Sequence, residues 1–302
     1  MKKNKLLIVG CGDIGMRVAQ GHHPVQIRGL ARSGESAQRL RSQGITPVVG
    51  DLDRRASLDR LSGLAPWVLH LGPPPGDSDG DPRTRRLVAA LAKGGSLPRR
   101  LVYISTSGVY GNCDGERVAE TRTPAPETPR ARRRVDAERL LRRFAARHGI
   151  QLSILRAPGI YAQDRLPLER IQKRTPAVRA EEDSYTNHIH AEDLAKTVWL
   201  ALFRGRPNRI YHAADGSVKK MGDYFDLVAD HFGLPRCPRI LRAEAQQVLS
   251  PALLSFLNES RILDNTRLKQ ELKVRLTYPD VAAALEAMGR PHGETRPQSR
   301  RR

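Results

Sequence analysis

The chain has 302 residues, of which 39% are hydrophobic and 28% charged, and its formal net charge is +20. This length and composition are typical of a water-soluble globular protein with one or two domains. No apolar run approaches the roughly 18 residues of a membrane-spanning helix, the first residues lack the apolar stretch of a secretory signal, and three scattered cysteines exclude a disulfide framework. We therefore expect a cytoplasmic protein without membrane partners.

The charge does not by itself indicate a nucleic-acid partner. Arginines recur along almost every predicted helix, but aromatic residues make up only 5% of the chain, too few for a basic stripe with stacking side chains. Diffuse basicity favours anionic, phosphorylated ligands and leaves nucleic acid as the weaker alternative. His188 and His190 belong to no complete ligand set, so no metal site is predicted.

The first predicted element is an apolar strand over residues 5–9, which leads through a glycine-rich turn into a helix. The glycines have the spacing G-x-G-x-x-G. Gly10 can adopt angles that a Cβ forbids, Gly12 lets the main chain approach phosphates, and Gly15 lets the helix lie close to the strand. The helix start adds free N–H groups and a partial positive charge. The predicted dinucleotide contacts are Gly10, Gly12, Asp13, Ile14 and Gly15.

A second strand over residues 25–31 ends at Arg32 and Ser33. A cofactor without a 2′-phosphate requires a carboxylate at this strand end, whereas one with the phosphate requires a cation. No acidic residue occurs between the end of this strand and Glu35. The sequence therefore favours NADP(H), with NAD(H) as the alternative, and assigns Arg32 and Ser33 to the ribose phosphate.

Strands and helices then alternate along the chain. The further predicted strands are 45–49, 67–71, 101–104, 151–155 and 209–213, and the helices between them include 58–64, 83–93 and 193–203. The fourth strand is broken by glycine and three prolines at residues 72–75, which cannot continue a ladder. This alternation predicts an α/β fold with a doubly wound parallel sheet of the Rossmann type.

Five motifs in order carry a resemblance to a known family. They are the glycine turn and the segments 50–52, 105–111, 155–161 and 188–195. Together they resemble the extended short-chain dehydrogenase/reductases of the NAD-dependent epimerase/dehydratase type, from residue 5 to about 288. The resemblance implies Asp51 and Leu52 at the adenine, Gly72 and Pro73 along the cofactor, Ala157 and Pro158 at the nicotinamide, and Thr106 as the active-site hydroxyl.

The chain departs from this family at the catalytic pair. The family keeps a Tyr and a Lys one turn apart on the helix after strand five, and these positions hold Arg130 and Arg134. Arg134 can still place a positive charge against ribose hydroxyls. Arg130 cannot replace a tyrosine, because its guanidinium has no proton to exchange at neutral pH.

Three alternatives remain open. Another group, Tyr161 or Tyr110, donates the proton; the chemistry needs no general acid from the protein; or the protein binds NADP(H) without turnover. The candidate catalytic residues are Thr106, Arg134 and Tyr161. The helix that carries the arginine pair is predicted to begin with Thr128 as its cap and Pro129 in its first turn.

The second half changes character after the sixth strand. A loop-rich insertion is expected at 164–182, a return to the sheet region at 188–190, helices at 221–232 and 243–257, and a short strand or turn at 261–265. We expect a cofactor domain from 1–160 plus about 185–215, a substrate cap from about 161–184 and 216–288, and a basic disordered tail over 289–302.

These predictions favour an NADP(H)-dependent oxidoreductase or epimerase/dehydratase. Its substrate would be a small carbonyl or hydroxyl compound, such as an anionic nucleotide sugar held by Lys219, Lys220 and Arg261. The alternative is a non-catalytic NADP(H)-binding sensor or assembly factor. The oligomeric state is left open.

Overall fold

The structure, a computed structural model, describes residues 4–21 and 24–289. The predicted basic tail lies outside the described residues except for Gly289. Within the described ranges, no helix combines the length and the apolar character needed to cross a membrane.

The elements follow one another along the chain in a largely alternating order. The first half contains β1 (Lys5–Val9), α1 (Asp13–Gln20), β2 (Gln26–Ala31), α2 (Gly34–Ser42), β3 (Thr46–Val49), β4 (Trp67–His70), α3 (Pro82–Ala92), β5 (Arg100–Thr106), β6 (Arg117–Val118), α4 (Pro129–His148) and β7 (Gln151–Ala157). The remainder contains β8 (Gly159–Tyr161), α5 (Leu168–Gln172), β9 (Ala177–Val178), β10 (Tyr185–Thr186), β11 (His188–His190), α6 (Ala191–Arg204), β12 (Arg209–His212), β13 (Lys219–Lys220), α7 (Met221–His231), β14 (Arg239–Ile240), α8 (Arg242–Val248), α9 (Pro251–Leu257), β15 (Ile262–Leu263), α10 (Thr266–Gln270) and α11 (Val281–Met288). Three 3-10 helices span Arg55–Leu61, Ser107–Tyr110 and Gln163–Arg165.

Seven strands form one parallel sheet in the order β12-β7-β5-β4-β1-β2-β3. The chain leaves β1 in one direction through β2 and β3, and in the other direction through β4, β5, β7 and β12. The order therefore reverses beside β1, which is where open α/β sheets form a ligand crevice outside the carboxyl ends of the strands. The predicted fold class is confirmed.

Both faces of the sheet are covered by helices. Residues Leu6 and Ile8 of β1 pack in the cluster that includes α1, α2 and α6, whereas Leu7 and Val9 pack in the cluster that includes α3 and α4. All four side chains have 0% exposure. This explains why β1 is a continuous apolar run rather than an alternating one, since a strand buried on both faces has no solvent side.

The long helix α4 begins where the sequence predicts. The Thr128 hydroxyl accepts a hydrogen bond from the Ala131 N–H at 3.2 Å, and Pro129 occupies the first turn. The helix ends at Gly149, whose φ of 64° lies in the left-handed region. Both ends of α4 are therefore fixed by local residues.

Some predicted elements differ from the structure. The single helix expected at 243–257 is two helices, α8 and α9, because Pro251 has no N–H to continue α8 and instead starts α9 under the cap of Ser250. The helix expected at 58–64 is a 3-10 helix over Arg55–Leu61. The short strand at His188–His190 forms, but it pairs with β8 in a separate two-stranded ladder.

A smaller hydrophobic cluster lies outside the main sheet. Most of its buried members come from β8, α5, α7 and α11 and include Tyr161, Ile171, Phe225, Val228 and Leu285. The polar contact that ties this region to α6 is made by Asp193. Its two carboxylate oxygens accept hydrogen bonds from the N–H groups of Thr277 and Tyr278, both at 2.8 Å.

Gly10 and Gly12 provide a matched pair of substitutions. Gly10 has a φ of +99°, and a Cβ on it would lie 2.4 Å from the Gly72 nitrogen, whereas a Cβ on Gly12 would meet no atom within 4 Å. We expect Gly10→Ala to lower the free energy of unfolding by about 3 kcal/mol or more. Gly12→Ala should change it by less than about 0.5 kcal/mol.

Urea unfolding of both variants measures this difference. Equal losses of stability in Gly10→Ala and Gly12→Ala would show that the contact between Gly10 and Gly72 does not limit the fold.

Candidate functional site

The glycine turn after β1 is built around a close contact between two main-chain segments. The Val9 carbonyl accepts hydrogen bonds from the N–H groups of Leu71 at 2.8 Å and Gly72 at 3.1 Å. Gly10 lies directly against Gly72, and a Cβ on Gly15 would lie 2.7 Å from the Gly10 carbonyl oxygen. Gly12 alone faces open space, at the N-terminus of α1. Gly10 and Gly15 therefore have no room for a Cβ, whereas Gly12 has room for one.

Asp13 and Ile14 direct their side chains away from this open space. The Asp13 carboxylate accepts a hydrogen bond from Arg17 Nε at 2.8 Å and lies 3.3 Å from Arg165 Nη2. Ile14 is buried in the hydrophobic core. Their contribution to a ligand would come from the backbone N–H groups of the first helical turn, which have no partners within a helix.

Two of the predicted residues at the end of β2 have different surroundings. Arg32 is exposed and makes no hydrogen bond or ion pair with any residue in the described ranges. Ser33 caps α2, since its hydroxyl accepts from the Ser36 N–H at 3.2 Å. In the loop that follows the neighbouring strand β3, the Asp51 carboxylate accepts from the Asp53 N–H at 2.9 Å. The Arg32 guanidinium is therefore free to bind a ligand, whereas the Ser33 hydroxyl already accepts a hydrogen bond within α2.

Arg83 joins the loops that follow β3 and β4. It donates to both carboxylate oxygens of Asp53, at 2.9 and 2.6 Å, and to the Pro73 carbonyl at 3.2 Å. This arginine is the largest cause of the lowered pKa of Asp53. The Leu52 side chain reaches within 3.5 Å of the position of a Gly72 Cβ. Leu52, predicted to contact the adenine, therefore lies beside Gly72, which is predicted to lie along the cofactor.

A cavity of about 580 Å³ opens at the carboxyl ends of β5 and β7. Thr106 and Ala157 are partners in the register of these strands, and Thr106 and Pro158 line the cavity. The Thr106 oxygen accepts from the Gly108 N–H at 3.2 Å. Its own hydroxyl proton therefore remains available to a ligand.

The cavity combines aromatic walls with an excess of positive charge. Its aromatic residues are Tyr161, Tyr185, Tyr224, Phe225 and Phe256, and its charged residues are Arg130, Arg165, Arg170, Arg261 and Glu259. His188 also lines it, and burial lowers the pKa of this histidine to about 4, so that the ring is neutral at pH 7. Four arginines against one glutamate make the cavity suited to an anion.

Arg130 and Arg261 leave donors unused. The Arg130 guanidinium lies 4.9 Å from the Phe256 ring centre and has no hydrogen-bond partner in the described part of the chain. Arg261 is 6% exposed. It donates to the Gly111 carbonyl and to Glu259, both at 2.7 Å, whereas its buried Nε has no partner among the described residues.

Arg134 is not among the residues that line this cavity. Its guanidinium donates to the Tyr103 hydroxyl at 3.0 Å and to the Ile104 carbonyl at 2.9 Å, and it lies 5.6 Å from the Tyr103 ring centre. The structure therefore brings Thr106 and Tyr161 to one cavity, while Arg134 is turned against β5.

Tyr161 lines the cavity with a buried hydroxyl that has no partner among the described residues. Burial raises the pKa of this phenol far above its usual range, and the negative charges of Asp215 and Asp193 add to the shift. At neutral pH, Tyr161 is therefore a phenol that can donate a hydrogen bond, not a phenolate.

Tyr110, the other tyrosine considered, belongs to the core. Its hydroxyl accepts from Arg156 Nη1 at 2.7 Å and donates to His212 Nε2 at 2.5 Å. Lys219 and Lys220, predicted to hold an anionic substrate, form β13 and do not line the cavity. Of the three predicted anion ligands, the structure brings only Arg261 to it.

Sequence reasoning did not identify Arg165, Arg170, Tyr224 or Glu259 as cavity residues. They come from three separate segments, and none lies in a motif with a recognisable spacing. The only signal in the sequence was the change to loop-rich segments between residues 164 and 182, which is where a cap would be expected to vary.

Known proteins provide an independent comparison. Residues 12–214 match the model of the NAD dependent epimerase/dehydratase family. A functionally unknown conserved protein from Silicibacter pomeroyi is 28% identical, with a TM-score of 0.79 over 94% of this chain and 98% of its own. No curated protein matches the sequence.

Two epimerases have the same fold at lower identity. UDP-glucuronic acid 4-epimerase from Bacillus cereus, in complex with UDP-glucuronic acid and NAD, is 18% identical, with a TM-score of 0.72 over 94% of this chain and 97% of its own. UDP-glucose 4-epimerase from Thermotoga maritima, with UDP-glucose, is 18% identical, with a TM-score of 0.71 over 94% and 98%. Because the family model spans more than half of the sequence, the chain belongs to the NAD-dependent epimerase/dehydratase family.

Proposed function

We propose that the protein binds NADP(H) in the crevice beside β1 and acts as an oxidoreductase or epimerase/dehydratase on a small anionic carbonyl or hydroxyl compound, such as a nucleotide sugar. Residues 1–160 and about 185–215 would hold the cofactor, and about 161–184 and 216–288 would form the substrate cap. The observation that carries the proposal is the arginine-rich cavity that opens beside Thr106 and Pro158.

The residues beside β1 fit a dinucleotide. The pyrophosphate would lie over Gly12, where a Cβ would meet no protein atom within 4 Å, and the N-terminus of α1 would attract its charge. The nicotinamide would lie near Pro158, next to the cavity. When bound, the nicotinamide supplies or accepts a hydride. The Bacillus cereus epimerase, which shares this fold, was solved with NAD.

The choice of NADP(H) depends on the charges at the ends of β2 and β3. Arg32 is an unpaired cation there, whereas Asp53, a neighbouring carboxylate, is held by two hydrogen bonds from Arg83. A carboxylate bound in this way is less able to accept from the ribose hydroxyls that NAD(H) presents at this position. The free guanidinium would instead bind the 2′-phosphate.

Replacing Arg32 tests the cofactor preference. We expect Arg32→Ala to weaken NADPH binding about tenfold or more and to change NADH binding less than about twofold, because only NADPH has the phosphate that this cation would bind. Arg41→Ala, an exposed arginine at the other end of α2, is the matched control. Isothermal titration calorimetry measures both cofactors, and equal losses for both would contradict the assignment.

The substrate end of the site favours an anion. The buried Nε of Arg261 has no partner among the described residues, the exposed Arg130 guanidinium makes no hydrogen bond to them, and Glu259 is already bound to Arg261. A carboxylate or phosphate there would satisfy donors that the protein leaves without partners. The side chains of Tyr185 and Phe256 provide aromatic surface for the remainder of the substrate.

Replacing Arg130 tests this side of the cavity. We expect Arg130→Gln to raise the KM for anionic acceptors about tenfold or more, and to change the KM for neutral acceptors little, because one charge-assisted hydrogen bond is lost. Arg143→Gln, an exposed arginine on the same helix, is the control for the change in net charge. An equal rise in KM for charged and neutral acceptors would exclude an anion site at Arg130.

A non-catalytic NADP(H) sensor or assembly factor is the second candidate. Arg130, at the position of the family's tyrosine, cannot exchange a proton at neutral pH. Arg134, at the position of the lysine, is hydrogen-bonded to β5. Tyr161 keeps its proton tightly. These three observations favour a protein that binds the cofactor without turnover.

Transfer of deuterium separates the two candidates. In a panel of candidate substrates, carbonyl compounds are incubated with the protein and NADPH deuterated at nicotinamide C4, whereas hydroxyl compounds and nucleotide sugars, deuterated at the carbon that carries the hydroxyl group, are incubated with the protein and NADP+. Mass spectrometry detects the label in the reduced product or in the cofactor. An enzyme that uses Tyr161 as proton donor should lose transfer about a hundredfold or more in Tyr161→Phe. Stability and NADPH affinity should remain unchanged, because the hydroxyl has no protein partner.

Two results would contradict the proposal. Full transfer by Tyr161→Phe would exclude Tyr161 as the donor. No transfer by the unaltered protein with any member of the panel, combined with tight NADPH binding, would support the sensor instead.

A further inference from the structure

A second cavity is lined by residues of α4 further along the helix than Arg130. It has a volume of about 470 Å³ and is enclosed by α4, the loop at residues 120–124 and the edge strand β12. It shares no lining residue with the substrate cavity. We call it the outer groove.

The outer groove is lined by six arginines and two glutamates. The arginines are Arg122, Arg139, Arg142, Arg156, Arg209 and Arg267, and the glutamates are Glu120 and Glu138. Four of the arginines have an acidic partner: Arg122 pairs with Glu116, Arg156 with Glu138, Arg209 with Glu271, and Arg267 with Glu120. Arg139 and Arg142 have no hydrogen-bond or ion-pair partner in the described ranges, and their charges are therefore uncompensated.

The floor of the groove is fixed by a buried ion pair. Arg156 is 2% exposed and Glu138 is 3% exposed. Arg156 donates to both carboxylate oxygens of Glu138, at 3.1 and 2.6 Å, and to the Tyr110 hydroxyl. Because Glu138 is neutralised by Arg156, it does not offset the charges of the two free arginines. The groove is a cationic cavity with a rigid base.

The second carboxylate is also occupied. One oxygen of Glu120 accepts from the His212 N–H at 3.1 Å, and the other lies 3.4 Å from Arg267 Nε. Burial raises the pKa of Glu120, against the opposing effects of its hydrogen bonds and of Arg267. Both acidic side chains of the groove are therefore compatible with a negatively charged occupant.

From this geometry, we propose that the outer groove binds a small phosphate-bearing molecule, with Arg139 and Arg142 as its principal ligands. Residues three apart on a helix lie on the same side, so the two guanidinium groups can bind one ligand together. Planar guanidinium groups match phosphate oxygens in pairs. The volume lies in the range of small-molecule sites.

The composition of the groove favours a small molecule over a nucleic-acid strand. No aromatic side chain is among its described lining residues, whereas proteins that bind single strands combine basic grooves with stacking aromatic residues. The groove is also closed at its base by Arg156 and Val135, so a ligand would enter from the solvent side.

A pair of double variants on α4 tests the proposal, with inorganic pyrophosphate as the probe. Arg139→Gln/Arg142→Gln removes the two proposed ligands. Arg143→Gln/Arg147→Gln removes the same charge from the same helix at exposed positions that do not line the groove. Binding of pyrophosphate to the glycine turn is common to both double variants, so their difference isolates the groove.

We expect calorimetry at constant ionic strength to show pyrophosphate binding weakened about tenfold or more in Arg139→Gln/Arg142→Gln and less than about twofold in the control. Thermal unfolding of both variants verifies that each is folded. Equal weakening in the two variants would overturn the proposal, because it would reflect net charge alone. A single-stranded oligonucleotide that binds more tightly than pyrophosphate and depends on Arg139 and Arg142 would also overturn it, in favour of a nucleic-acid surface.

Discussion

The close approach of two main-chain segments, the turn after β1 and the loop after β4, is the constraint on which the candidate site depends. The Val9 carbonyl binds the N–H groups of Leu71 and Gly72, and Gly10 packs against Gly72 with no room for a Cβ. This contact lies where the strand order reverses, so it fixes the floor of the crevice. The strand ends that carry Arg32 and Asp51 on one side, and Thr106 on the other, take their positions relative to this point.

The parts of the structure that depend on local chemistry could be predicted from the sequence. The glycine spacing, the apolar run of β1 and the cap of α4 at Thr128 each act within a few residues, and the predicted strands of the sheet were confirmed. The cavity could not be predicted, because Arg165 and Arg170, Tyr224, and Glu259 come from three separate segments that meet only when the chain folds. The direction of the Arg134 side chain could not be predicted either, since it depends on the position of Tyr103, 31 residues away.

Arg130 and Arg134, which the sequence predicts at the positions of the family's catalytic pair, have different surroundings. Arg134 donates to the Ile104 carbonyl and the Tyr103 hydroxyl, and so it braces the end of β5 that carries Thr106. Arg130 remains free beside Phe256. One substitution thus supports the strand under the site, whereas the other adds a charge to the cavity. If the predicted positions are right, a proton-transferring pair has been exchanged for a structural contact and a candidate anion ligand.

Without the family's tyrosine and lysine, a proton would have to come from another group, such as Tyr161. If Tyr161 donates a proton, it leaves a buried phenolate, which Asp215 and Asp193 oppose when they are ionised. Burial raises the pKa of Asp215 to about 7, so this carboxyl becomes neutral as the pH falls below that value and its opposition disappears. Tyr161 would therefore be a better donor on the acidic side of pH 7 than on the basic side. The positive charges of Arg130 and Arg261 would also favour proton donation by Tyr161, because positive charge in the cavity stabilises negative charge that develops there.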